Sequence, residues 1–362
     1  MASNSTTNPK QPLLGRTPPE IGRHTPSSII DAISPRLLPQ RPSSRTDTYR
    51  QTTYFPPPTE AAEQPRSLLT DLFPWWSFFY IVDFLVAAAL WGLTTWTSSF
   101  QPYLREINLL DPDITRPFHA GDIVPMKLVA FLTVFVPMTC CIAYHALLLV
   151  SRWGHDYYRS DSRVIRKYLA RESLAYLLHD FHHAALSLLL ATGATKVVTD
   201  TLKAWMGRFR PDFLDRCDMD LIAMVCTGDP KIVRDGRESF PSGHSSSSFV
   251  GMGWVSLYLA GKLSAWCLDE KPNDGRVLSM ILCVCPLMWA AYVAISRTEE
   301  NKHHPTDVLA GSLLGLTIAY ISYRMFYPNV FSGDRRAMKR PKGFTDEGEY
   351  DGLGGEYMYS TV

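Results

Sequence analysis

Residues 75–96 read Trp75-Trp76-Ser77-Phe78-Phe79-Tyr80-Ile81-Val82-Asp83-Phe84-Leu85-Val86-Ala87-Ala88-Ala89-Leu90-Trp91-Gly92-Leu93-Thr94-Thr95-Trp96. A single acid interrupts an otherwise uncharged run, and tryptophans stand at both ends of it. About 20 apolar residues span ~30 Å of hydrocarbon at ~1.5 Å per residue, and aromatic rings at the margins suit the two interfaces of a bilayer. Stretches of similar character recur, so that apolar segments lie at 74–97, 123–150, 173–200, 244–267, 276–296 and 305–327. Backbone polar groups in lipid must be satisfied within their own segment, so each is expected to be a helix. The expected fold class is therefore all-α, a six-transmembrane helical bundle over 74–327. Disordered cytosolic tails, 1–70 at the N-terminus and 328–362 at the C-terminus, are expected to flank it. The third segment is the least apolar, because His179, Asp180, His182 and His183 fall inside it. Asp83 is expected to face the bundle interior.

The rest of the composition supports this reading. The 362 residues carry 36 Lys+Arg against 35 Asp+Glu, a net charge of +1, and the mean hydropathy is −0.06. That balance excludes both the basic excess of a nucleic-acid binder and an acidic, solvating composition. The average hides a polar, Pro/Ser/Thr-rich stretch before Thr70, which cannot bury enough apolar surface to offset its ordering entropy. No basic region followed by an apolar core opens the chain, so no cleavable signal peptide is expected. Thr17-Pro18 and Ser34-Pro35 have the form of phosphorylation sites, but such pairs are common in any tail of this kind. The seven cysteines are too few for a disulfide scaffold, and five of them sit in apolar runs. Cys217 and Cys226 share one loop and could pair if that loop faces an oxidising compartment.

Charge asymmetry orients the spans. Residues 151–172 hold Arg152, Arg159, Arg163, Arg166, Lys167 and Arg171, whereas 99–122 hold only Arg105 and Arg116. The positive-inside rule puts 151–172 in the cytosol, and with six spans both tails follow. Arg335, Arg336, Lys339, Arg340 and Lys342 agree with that orientation. The sequon at Asn4 would then be cytosolic and unused. Ser360-Thr361-Val362 has the form of a ligand for strand-addition domains, although three residues carry little information. The loop at about 201–243 is expected on the luminal or extracellular face. It is rich in cations against the rule, so its cations call for a chemical explanation.

That loop opens with Lys203-Ala-Trp-Met-Gly-Arg208-Phe-Arg210-Pro211 and closes with Pro241-Ser242-Gly243-His244. The loop before the last span reads Ser296-Arg297-Thr-Glu-Glu-Asn-Lys-His303-His304-Pro305-Thr306-Asp307. By parity of spans all three lie at one membrane surface. Lys203, Arg210 and Arg297 suit a phosphate, since Arg offers paired planar donors and Lys a point charge. Ser242 and Gly243 open a helix whose free N–H groups attract an anion. Two histidines suit phosphoryl transfer without metal, one attacking phosphorus and the other protonating the departing oxygen. Asp307, four residues after His303, could orient the imidazole. Pro305 suggests that the last helix starts near 304–305.

Lys-x6-Arg-Pro, Pro-Ser-Gly-His and Ser-Arg-x5-His-x3-Asp resemble the three signature motifs of the type 2 phosphatidic acid phosphatase superfamily, in the family's order and without departure. The wider resemblance covers about residues 74–327. Leu110-Asp111-Pro112, Val124-Pro125 and Lys302-His303-His304 look like the lipid phosphate phosphatase branch. Arg210-Pro211-Asp212-Phe213-Leu214-Asp215-Arg216-Cys217 is similar to fungal diacylglycerol pyrophosphate phosphatase. The resemblance implies His303 as the nucleophile, Asp307 as the group orienting it, and His244 as the general acid that later helps activate water. It implies Lys203, Arg210, Arg297, Ser242 and Gly243 as phosphate ligands, and neither metal nor other cofactor. The implied partners are the bilayer and a lipid phosphate such as phosphatidic acid, diacylglycerol pyrophosphate or lysophosphatidic acid. The membrane would be an endomembrane or the plasma membrane.

Other readings compete. A polyprenyl-diphosphate or sphingoid-phosphate phosphatase, or a ceramide transferase, would share the motifs. A transporter or scaffold would be expected to lack one of the two histidines. His179-x-x-His182-His183 has a ligand spacing found in membrane di-iron enzymes, but a single such box favours helix-packing histidines. His304 is expected to play a supporting role beside His303. Arg208 falls off the first motif's pattern and is expected to meet lipid headgroups or solvent.

Overall fold

The computed structural model describes residues 73, 75–152, 163–267 and 275–331, with residues 152 and 163–172 described by backbone alone. The N-terminal tail with Asn4, Thr17-Pro18 and Ser34-Pro35 lies outside the described residues. So do Arg159, within residues 153–162, and the C-terminal residues 332–362. Eight helices occur among the described residues: α1 (Phe79–Thr97), α2 (Met126–Arg152), α3 (Arg163–Met206), α4 (Phe213–Cys217), α5 (Pro230–Asp235), α6 (Gly243–Leu263), α7 (Arg276–Glu299) and α8 (Pro305–Phe326). A two-residue antiparallel ladder pairs β1 (Met219–Asp220) with β2 (Val225–Cys226).

Helices occupy all six apolar stretches. Four of them, α1, α2 over Met126–Ser151, α7 and α8, are long and apolar enough to cross a membrane. The other two, α3 and α6, are more polar, and the reason lies in where their polar groups point. His179, Asp180, His183 and Ser187 on α3, and Ser245, Ser246, Ser248 and Lys262 on α6, are buried inside the bundle. By contrast Leu85, Phe131, Phe135, Leu278, Ile281, Leu309 and Leu313 on the other four helices are exposed. Apolar side chains turned outward in such numbers suit a hydrocarbon surround rather than water.

The central element is α6. It packs most extensively on α8 and α7 and also contacts α2 and α3. Its contact with α8 depends on residues that lack side chains. A Cβ at Gly311 would sit 2.5 Å from the Ser242 carbonyl oxygen, and one at Gly315 would sit 2.5 Å from that of Ser246. Small residues let two helical backbones approach closely, which packing in a membrane rewards. Hydroxyls tie in α3: Trp254 Nε1 donates to Ser187 Oγ at 2.8 Å, and Ser187 and Ser322 hydroxyls lie 3.0 Å apart.

A charged knot holds the end of the bundle away from Lys203. The 23 residues from Asp180 to Lys203 correspond to about 35 Å of helix. Asp180 is buried, with Lys262 Nζ at 2.8 Å and His145 Nε2 at 2.7 Å. Tyr258 and Tyr327 also donate to it, at 2.7 Å and 3.0 Å. The Lys262 ammonium lies 5.0–5.5 Å from the rings of Tyr144, Tyr176, Tyr258 and Tyr327. Removing one member of such a pair strands the other charge in a low-dielectric interior. Lys262→Met is therefore expected to lose about 3–5 kcal/mol of stability. Asp180→Asn combined with Lys262→Met should recover part of that loss. Unfolding midpoints in detergent check this, and a single variant as stable as the parent would refute it.

Candidate active site

The three motif segments meet at the other end of the bundle. Lys203 stands in the last turn of α3, which stops at Met206 because Gly207 takes the left-handed conformation (φ +51°). A Cβ there would strike the Tyr103 carbonyl oxygen at 2.1 Å, so the first loop also passes this point. Past Gly207 the chain turns back over the bundle, and Arg210 N–H donates to the Gly236 carbonyl at 2.8 Å. Ser242 caps α6, its hydroxyl accepting from Ser245 N–H, and its own N–H donates to the Asp307 carbonyl at 3.0 Å. Arg297 sits in the last turn of α7, 1% exposed. The chain then turns tightly through Asn301 at φ +55°, and His303 N–H reaches back to the Arg297 carbonyl. As the sequence suggests, α8 begins at Pro305, and Asp307 closes its first turn by accepting from His304 N–H at 3.0 Å.

Each sequence-derived candidate lies in this cluster. Arg297 Nη1 approaches His244 Nε2 at 3.5 Å. A Cβ on Gly243 would lie 3.8 Å from Lys203 Nζ, which puts that ammonium beside the N-terminus of α6. His303 is 3% exposed, and its Nδ1 lies 2.7 Å from the Ser239 carbonyl oxygen. A carbonyl only accepts, so Nδ1 carries the proton and Nε2 keeps the lone pair. The distance from His303 Nδ1 to Asp307 Oδ2 is 3.8 Å, too long for a hydrogen bond. The nearer imidazole is that of His304, with Nδ1 at 3.1 Å from Asp307 Oδ2. Asp307 thus acts on His303 across a gap, while the Ser239 backbone makes the direct contact.

Several contributors were not legible beforehand. Ser239 Oγ donates to Asp307 Oδ2 at 2.6 Å, and no motif or spacing marked it. Arg208, expected at headgroups or solvent, instead donates from Nη1 to Asp307 Oδ1 at 2.7 Å and to Thr306 Oγ1 at 2.8 Å. Carboxylates hold the phosphate-type cations in place. Arg210 Nη2 pairs with Asp235 at 2.7 Å, and its Nε donates to the Asp235 carbonyl at 2.8 Å. Arg297 pairs with Asp122 at 3.0 Å and Glu300 at 2.5 Å. Arg216 bridges Asp212 and Asp235. Cys217 and Cys226 are joined by a disulfide, which staples β2 to α4 beside this network.

These surroundings set protonation. Burial, together with the nearby Arg210 and Lys203 cations, pushes His303 down from 6.5 to about 3, although Asp307 pulls the other way. Burial would raise Asp235, but Arg210, Lys203 and Arg216 outweigh it and hold the carboxyl at about 2. The site therefore presents a neutral His303 imidazole.

The imidazoles of the histidine box pack among the rings of Trp75 and Tyr80. His179 stacks on Trp75 with ring centroids 4.7 Å apart, and His183 bonds the Tyr80 hydroxyl and the His179 carbonyl. Cys141, His145 and Asp180 do bring ligand atoms within 4.8 Å of one another. Yet the Asp180 oxygens already accept from Lys262, Tyr258 and Tyr327, so protein donors satisfy the trio.

Comparison with known proteins agrees with the geometry. The model of the PAP2 superfamily matches residues 184–331, a range that contains all three motifs. Lipid phosphate phosphatase 2 of Arabidopsis thaliana is 41% identical over 165 residues, covering 43% of this chain and 55% of that protein. Probable lipid phosphate phosphatase 4 of the same plant is 31% identical over 258 residues, covering 69% and 73%. Diacylglycerol pyrophosphate phosphatase 1 of Saccharomyces cerevisiae is 31% identical over 240 residues, covering 64% and 73%. Against the relatives that share more than 40% identity, the chain spans about half of their length, 48–55%. No solved structure gives a significant match. The chain belongs to the PAP2 superfamily.

The depressed His303 gives a stability prediction. The unfolded chain takes up a proton near the ordinary imidazole value of about 6.5, and the folded site refuses it until far lower pH. Folded stability contributed by neutral His303 is thus present above about 6.5 and is lost as pH falls below it. Unfolding midpoints between pH 5 and 8 should fall toward acid less steeply for His303→Gln than for the parent. Parallel curves would contradict the buried neutral assignment.

Proposed function

We propose that the chain is an integral membrane phosphatase that hydrolyses lipid phosphates, with phosphatidic acid and diacylglycerol pyrophosphate as leading substrates and lysophosphatidic acid as a further one. The observation that carries the reading is the convergence of His303, His244, Lys203, Arg210, Arg297 and the Ser242–Gly243 helix start at one end of the bundle. The names of the plant and yeast relatives favour the same substrate class.

In this reading Lys203, Arg210, Arg297 and the Ser242–Gly243 start of α6, through the Gly243 N–H, take the phosphate oxygens. The His303 Nε2 lone pair forms a bond to phosphorus as the P–O bond to the lipid alcohol breaks, and His244 gives that oxygen its proton. Water then attacks the phospho-histidine, His244 accepts a proton from it, and the P–N bond breaks to release phosphate. The proposed reaction uses water and groups of this chain and runs without metal or other cofactor.

The proposed topology has six spans, counting α3 and α6 with the four apolar helices, and both tails in the cytosol. The active site then faces the lumen or the exterior. The Cys217–Cys226 bond favours that side, because disulfides persist in oxidising compartments. The membrane is an endomembrane or the plasma membrane.

The test is phosphate release from phosphatidic acid by detergent-solubilised protein, with and without EDTA, beside His303→Ala. Release should survive EDTA and fall to background in the variant. Abolition by EDTA would sink the metal-free mechanism, and activity retained in His303→Ala would shift the nucleophile to His304. Inactivity on phosphatidic acid but turnover of polyprenyl or sphingoid phosphates would move the substrate class.

A further inference from the structure

Asp307 is buried to 0% exposure, and its two oxygens are differently engaged. Ser239 Oγ and His304 share Oδ2, while Oδ1 receives Arg208 Nη1 at 2.7 Å. A buried carboxylate with only neutral donors would bear most of its charge uncompensated, at a cost of several kcal/mol. Arg208 is the cation that touches it, and with 30% of its side chain exposed it reaches Asp307 from the rim of the site. The second Arg208 contact, to Thr306 Oγ1, fixes the guanidinium against the first turn of α8. Asp307 in turn grips the Ser239 hydroxyl, and the Ser239 carbonyl accepts the His303 Nδ1 proton. A continuous chain of polar contacts thus runs from Arg208 through Asp307 and Ser239 to the imidazole.

We propose that Arg208 is a positioning residue of this site: through its ion pair with Asp307 it fixes the carboxylate and the Ser239 backbone that together aim His303 Nε2. The proposal rests on the phosphatase reading for its kinetic consequences and on the contact chain for its structural ones.

The charged and titratable groups around the imidazole are Lys203 on α3, Arg208 and Arg210 in the loop after it, Asp235 on α5, His244 on α6, Arg297 on α7, and His304 with Asp307 at the start of α8. Arg208 alone among the cations is bonded to Asp307 in this set. Neutralising it leaves the Asp307 charge less compensated, which favours the protonated form of His303. The acid limb of activity should therefore move to higher pH, a displacement that simple loss of packing would not produce.

The experiment compares full-length parent, Arg208→Gln, Arg208→Lys and His303→Ala in detergent micelles containing phosphatidic acid, with unfolding midpoints recorded for each. Arg208→Gln should lower kcat by about 10- to 100-fold through misaligned attack while KM stays within about three-fold. Its acid limb should shift upward, and Arg208→Lys should recover part of kcat. A raised KM with kcat retained would overturn the proposal and make Arg208 a headgroup contact, and unchanged kinetics would overturn it outright. A parent that releases no phosphate would instead defeat the phosphatase reading. The ion pair is then decided by 15N-histidine spectra, with the His303 signal assigned by its absence in His303→Ala. That signal should show an Nδ1-protonated imidazole in the parent and titrate at higher pH in Arg208→Gln. An identical titration in the two proteins would overturn the proposal.

Discussion

One carboxylate joins all three motif segments. Asp307 accepts from Arg208 of the first, from Ser239 just ahead of the second, and from the His304 backbone of the third, while its own carbonyl takes the Ser242 N–H. The segments come from distant parts of the chain, and each lies in or beside a loop. A single buried residue, with three donors on its carboxylate and one on its carbonyl, turns them into one body. It also caps α8, so the first turn of the last helix and the geometry of the imidazole depend on the same side chain. Any change that lets Asp307 move alters the helix start and the reactive nitrogen together.

The close approach of α6 and α8 makes this arrangement possible. Gly311 and Gly315 bring the backbone of α8 against the carbonyls of Ser242 and Ser246. The residue that opens α6 and the carboxylate that opens α8 are thereby held in register without a side chain between them. Further along, the Asp180–Lys262 pair and its tyrosine rings tie α3 to α6 and to Tyr327 just past α8. The long helix α3 links the two ends, with the charged knot at one and Lys203 at the other.

Much of the site was legible because its chemistry is carried by residues whose type and spacing are unusual in an apolar chain. Lys203, Arg210, Ser242, Gly243, His244, Arg297, His303 and Asp307 are all found together, and helices fill every apolar stretch. What escaped were contacts that depend on the path of a loop rather than on a pattern. Ser239 acts through its backbone carbonyl, which no side-chain motif can announce. Arg208 differs from Arg210 only in where the chain points after Gly207, so its turn toward Asp307 had no signature in the residue string. The membrane count was obscured for a related reason: the polar residues of α3 and α6 are buried by neighbours, and hydropathy does not know which neighbours those are.

Asp235 holds Arg210, and Asp122 and Glu300 hold Arg297, so on the proposed function a phosphate would meet cations that already have negative partners. An incoming phosphate exchanges one negative partner for another, so it gains only the difference between the two. On that reading the grip would be modest and the departing inorganic phosphate would be readily replaced. A lipid confined to a bilayer reaches high local concentration in two dimensions, and an enzyme fed in that way loses little by holding its substrate lightly.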